Sequence, residues 1–167
     1  MNILLPNLEA TDCLGQILAS AVNESSRLLP IFFFGELGMG KTTLISALVK
    51  ALPGGNEAET SSPSFTLCNI YPTTPSVAHF DAYRQENDTV DESLLDFLDG
   101  ERHLVLVEWA ERLPEYALPP QRLHCEITSD KDIRKIQLSA FGPGAERFLD
   151  VIQSALDPGI VSSVSCS

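Results

Sequence analysis

The sequence predicts an α/β fold: one domain on a central mixed, largely parallel sheet, flanked by helices and carrying a C-terminal β-hairpin. Three observations lead there. Two runs, residues 28–34 and 104–107, are apolar almost throughout, the mark of strands buried on both faces. Segments with apolar residues at helical spacing alternate with these runs, as in layered α/β proteins. Residues 123–128 and 133–141 flank the polar Ser129-Asp130-Lys131-Asp132, the pattern of a hairpin. A chain of 167 residues suits one sizeable core. Residues 1–156 are expected to form it, with 157–167 as a flexible tail.

Taken in order, residues 11–23 set Leu14, Ile17, Leu18, Ala21 and Val22 on one helical face, with Thr11 or Asp12 as candidate cap. The apolar run 28–34 is interrupted only by Pro30 and stops at Gly35. From Gly40 to Leu52 the spacing of Leu44, Ile45, Leu48 and Val49 is helical, and Pro53-Gly54-Gly55 ends it. Residues 54–64 are small and polar and read as a loop. Short strands are expected at 65–71 and 77–80, then a short acidic helix at 90–98. The strand 104–107 runs into Glu108, and after the hairpin a last helix covers about 144–156.

Charge narrows the function. With 23 acidic and 11 basic residues the net charge is −12. Such a surface repels phosphodiester backbones and anionic lipid, so nucleic acid is expected only through a partner. No apolar run approaches the roughly 20 residues that span a bilayer. The first nine residues lack a basic stretch and a long apolar core, so no secretory leader is expected. The four cysteines form no C-x-x-C pair; reduced thiols in a cytoplasmic protein are the expectation.

The decisive segment is Gly35-Glu36-Leu37-Gly38-Met39-Gly40-Lys41-Thr42, which matches G-x-x-x-x-G-K-[ST] between an apolar strand and a helix. Chance would supply the string in roughly one chain of this length in two hundred. Glycines let consecutive backbone N–H groups turn toward phosphate oxygens, and the helix start adds its positive dipole end. Lys41 would neutralise β- and γ-phosphates, and the Thr42 hydroxyl would ligate Mg²⁺. These features make the fold P-loop NTPase-like. Glu108, directly after an apolar strand, is the candidate second anchor for the metal. Asp81, after the strand 77–80, is either a second working carboxylate or the cap of a turn. No N-K-x-D or D-x-x-G string occurs, which favours ATP over GTP. Three activities stay open: a partner-activated ATPase, a small-molecule kinase, and a nucleotide-gated adaptor.

Several segments together resemble the TsaE (YjeE) family: the loop Gly35–Thr43, Ser62-Pro63-Ser64-Phe65-Thr66, His79-Phe80-Asp81-Ala82-Tyr83-Arg84, and Leu106-Val107-Glu108-Trp109. The resemblance runs from about Thr11 to Phe141. It implies a bacterial ATPase of tRNA threonylcarbamoyladenosine synthesis, an accessory or reset subunit working with TsaD and TsaB, which leaves tRNA contact to those partners. It also implies site roles. Lys41 and the loop residues Glu36, Leu37, Gly38, Met39, Gly40, Thr42 and Thr43 would bind ATP. Thr42 and Glu108 would bind Mg²⁺, and Lys41, Asp81 and Glu108 would be catalytic. Trp109, Thr11 and Arg134 would lie near the nucleotide, and 62–66 would form a switch-like loop. His79 is expected to be packed and hydrogen-bonded. Met39 stands where the family has a small residue and Ser64 where it commonly has Thr, and residues 85–100 lack the family's usual pattern.

Overall fold

The computed structural model describes residues 1–57, 60–63, 66–85, 90–130 and 133–156. The expected tail therefore lies outside the described residues, as do parts of the 62–66 loop and of the hairpin turn. Seven strands, β1 (Asn2–Leu5), β2 (Ile31–Phe34), β3 (Cys68–Tyr71), β4 (Val77–Asp81), β5 (Leu104–Glu108), β6 (Arg122–Asp130) and β7 (Ile133–Phe141), form one sheet in the order β1-β7-β6-β2-β5-β4-β3. The central four, β6-β2-β5-β4, are mutually parallel. Antiparallel pairings close both sides: β7 and then β1 beyond β6, and β3 beyond β4. The helices are α1 (Leu8–Glu24), α2 (Lys41–Ala51), α3 (Glu92–Asp99) and α4 (Pro143–Ala155).

The alternation of a pleated strand divides the core in two. Ile31 and Phe33 of β2, with Leu104 and Leu106 of β5, face a large cluster that includes Leu14 and Leu18 of α1, Leu44 and Leu48 of α2, and Phe148 and Ile152 of α4. Phe32, Val105 and Val107 face the other way, against Leu94 and the segment carrying Ala110 and Leu113. This two-sided burial is what the uninterrupted apolar runs at β2 and β5 require.

Several boundaries moved. α1 starts at Leu8, not near Thr11, because the Asn7 side chain caps it by accepting from the Ala10 N–H at 2.8 Å. β1 was not expected: its Ile3 and Leu5 bury against the core while it pairs with β7. β3 begins only at Cys68, because the Pro63 carbonyl closes a turn onto the N–H groups of Thr66 and Leu67. Cys68 and Cys125 are free thiols as expected, whereas Cys13 is disulfide-bonded, which the cysteine spacing gave no reason to anticipate. Among the described residues no helix is long and apolar enough to cross a membrane.

Candidate functional site

At the C-terminal end of β2 the chain enters a loop with three glycines at positive φ: Gly35 (133°), Gly38 (81°) and Gly40 (100°). Gly35 is required sterically as well, and Gly40 leaves room for a long side chain. A Cβ at Gly35 would lie 2.3 Å from the Ile127 carbonyl oxygen, and one at Gly40 would meet Arg134 Nε at 2.9 Å. The loop delivers the chain into α2 with Gly40 at the cap, which supplies no side-chain bond to the first turn. A helix start without a side-chain cap, preceded by a wrapped loop, is a physical fit for phosphate oxygens.

Lys41 opens α2 and is 4% exposed. Its Nζ donates to the Gly35 carbonyl and, at 3.1 Å, to that of Glu36. It also lies 3.6 Å from the centre of the Trp109 ring, a cation–π contact. Burial pulls the ammonium pKa below its ordinary value, while Glu111, Glu108 and Asp81 act in the opposite sense. Trp109 reaches this position by leaving β5 in a left-handed turn, φ 60°. Its other neighbour is Tyr83, with ring centres 4.8 Å apart, and Arg112 lies 5.6 Å over the Tyr83 ring.

The two expected carboxylates sit side by side, since Asp81 and Glu108 are register partners on the parallel strands β4 and β5. Glu108 is 2% exposed. Its oxygens accept from the Thr42 hydroxyl at 2.8 and 3.0 Å, and His79 Nε2 lies 2.9 Å from Oε1. Burying a carboxylate is costly unless it is partnered in this way. Asp81 is 5% exposed and accepts from the Ser62 hydroxyl at 2.8 Å and the Tyr83 N–H at 2.9 Å. Asp81 thus braces a turn and also lines the cleft. Among the described residues no group of three or more His, Cys, Asp or Glu side chains could hold a metal by itself. Thr42 and Glu108 nevertheless fit Mg²⁺, which takes one or two protein oxygens and completes its shell with phosphate and water.

These parts enclose an open cleft of about 450 Å³. Its lining combines Leu37, Gly38, Gly40, Lys41, Thr42 and Thr43 of the loop and α2 with Asp81, Glu108, Trp109 and Arg134, and with Ser62, Tyr83 and Arg84. Arg134 crosses from β7 to donate through Nε to the Met39 carbonyl at 3.0 Å. The Met39 side chain turns inward and packs on the main core, so the larger residue takes up no room in the cleft. Glu36 is not in the lining either; its carbonyl accepts from Lys41 Nζ. Thr11 is not in the lining: it lies buried within α1, its hydroxyl bonded to the Asn7 carbonyl at 3.2 Å. His79 is packed and hydrogen-bonded, as expected. Tyr71, which bonds His79, carried no signal in the sequence, because its role appears only when β3 pairs with β4.

The family model for "Threonylcarbamoyl adenosine biosynthesis protein TsaE" matches residues 5–136. A tRNA threonylcarbamoyladenosine biosynthesis protein TsaE of Aquifex aeolicus is 36% identical over 111 residues, 66% of this chain and 77% of that protein. A protein of the same description from Nostoc is 34% identical over 117 residues, 67% of this chain and 69% of the relative. In three dimensions the chain is similar to the crystal structure of Bacillus subtilis YdiB, with a TM-score of 0.72 and 25% identity over 93% of this chain and 95% of the other.

Proposed function

Because the chain belongs to the TsaE family, we propose that it is a Mg²⁺-dependent ATPase serving as an accessory or reset subunit in the synthesis of threonylcarbamoyladenosine on tRNA, working in the cytoplasm with TsaD and TsaB homologues. The observation that carries this reading is the hydrogen bond from Thr42 to Glu108, which joins the first turn of α2 to the end of β5 across 66 residues in sequence. It brings together the hydroxyl and the carboxylate that a metal-bound triphosphate needs.

On this reading the N–H groups of the Gly35–Thr43 segment and the Lys41 ammonium bind the phosphates, and Arg134 of β7 contacts the nucleotide. Thr42 and Glu108 hold Mg²⁺, whose charge offsets that of the β- and γ-phosphates. Asp81 orients the attacking water and accepts its proton as ATP + H₂O become ADP and inorganic phosphate. Lys41 stabilises charge that grows on the phosphoryl oxygens in the transition state. The Ser62 hydroxyl holds one oxygen of Asp81, so a partner that presses on this loop adjusts the carboxylate and sets the rate. The net charge of −12 suits a subunit that leaves tRNA to its partners.

Phosphate release by the purified chain, alone and with a TsaB–TsaD pair, tests the proposal. Turnover should require Mg²⁺ and rise with the pair. Lys41→Ala should reduce it on the order of a hundredfold or more, with Asp81→Asn and Glu108→Gln also strongly impaired. Turnover that survives Lys41→Ala, or phosphate that appears on an added metabolite instead of in water, refutes it.

A further inference from the structure

Thr42 and His79 partner the buried Glu108 carboxylate, and the hydrogen bonds continue beyond His79. His79 is fully buried, with Nε2 on Glu108 Oε1 at 2.9 Å and Nδ1 3.3 Å from the Tyr71 hydroxyl. That hydroxyl donates to the Ser61 carbonyl at 3.1 Å. The next residue, Ser62, bonds Asp81. The two carboxylates of the cleft are thus reached from neighbouring residues of one loop, Asp81 directly and Glu108 through Tyr71 and His79. The same loop is tied elsewhere: Thr60 bonds Ser46 on α2, and Asn69 Nδ2 donates to the Ser61 carbonyl at 3.1 Å. Among the described residues, the Tyr71–His79 branch is the one that runs on to Glu108 through side-chain hydrogen bonds.

From this geometry we infer that Tyr71 and His79 are positioning residues, coupling the placement of Ser61 and Ser62 to the orientation of Glu108. The inference rests on the functional reading above, in which Glu108 holds the metal. Tightening Glu108 from the cleft side orders the loop, and drawing the loop away releases Glu108 and Asp81 together. A core histidine that merely satisfied a buried acid would transmit nothing to residues 61 and 62.

Amide hydrogen exchange at Ser61 and Ser62, measured on the ATP-bound chain with and without Mg²⁺, reads this coupling without reference to turnover. In the wild type, Mg²⁺ should slow exchange there about fivefold, the scale of one net hydrogen bond. Tyr71→Phe keeps the ring and removes the hydroxyl, and should abolish most of that slowing. His79→Gln retains a donor for Glu108 while cutting the link to Tyr71, and should give the same loss. Asn69→Ala removes the other donor to Ser61; exchange should become faster with and without metal, with the ratio kept. Full metal-dependent slowing in Tyr71→Phe and His79→Gln overturns the inference, as does its absence from a wild type shown by calorimetry to bind Mg²⁺ and ATP. A wild type that gives no binding heat removes the functional reading and this inference together.

Discussion

Gly15→Ala sets two effects of opposite sign against each other at the contact between α1 and α2. Alanine is favoured over glycine inside a helix by about 1 kcal/mol. The added Cβ, however, would lie 2.6 Å from both the carbonyl carbon and the Cβ of Ala47, and 2.8 Å from the Leu48 nitrogen. Those atoms belong to, or are fixed directly on, the backbone of α2, so no rotamer change relieves the overlap. The helices must separate locally by about 0.8 Å to regain a 3.4 Å contact. Overpacking of this kind costs about 1–3 kcal/mol, which leaves a net loss of about 1 kcal/mol. Urea unfolding should show a lower midpoint with an unchanged slope, and Tm should fall by about 2–4 °C. The displacement also carries Thr42, at the head of α2, away from Glu108, so affinity for Mg²⁺ and ATP should fall in parallel. A variant as stable as the wild type, or more so, would show that helix propensity outweighs the contact and that the spacing of the two helices is soft.

Gly35→Ala should be harsher, losing more than about 2 kcal/mol, because a positive φ and a 2.3 Å approach to a main-chain oxygen act together; wild-type stability in chemical denaturation would refute it. His124 gives a pH test. Its ring lies between Phe34 and Phe141, with centres at 4.6 and 4.3 Å, and its Nε2 accepts from Arg122 Nε at 2.8 Å. Burial and then the Arg122 charge push its pKa down to about 4, with Glu115 opposing. Below the unfolded value of about 6.5 the unfolded chain takes up a proton that the folded chain refuses. Stability present at neutral pH is therefore lost as pH falls from about 6.5 toward 4, on the order of 1 kcal/mol once solvent screening is allowed for. His124→Gln should flatten that part of the stability profile, and an unchanged slope would refute the assignment.

What could be read from the sequence was local. Gly35–Thr42 needs only its own spacing and the strand and helix on either side, and Glu108 needs only the apolar run before it. The start of α1 is legible too, since Asn7 stands three residues before the Ala10 N–H that it caps. β1 offers only Ile3 and Leu5 in alternation, too short a pattern to outweigh its surroundings, and it becomes a strand because β7 presents an edge to it. Arg134 reaches Met39 across 95 residues, and Tyr71 reaches His79 only through strand pairing. Contacts of that kind are products of the whole sheet and leave no periodic trace in either partner.

Because β4 and β5 run in the same direction with Asp81 opposite Glu108, the backbones that carry the two acids stand at the same level, about 4.8 Å apart across the ladder. Loop movement can turn the two side chains, but it leaves this spacing of their backbones unchanged; only unzipping the strands would widen it. The pairing of two acids at one level is thus a property of the scaffold, as lasting as the hydrogen bonds between the strands, and adjustment during a working cycle falls to the side chains and to the hydroxyls that hold them.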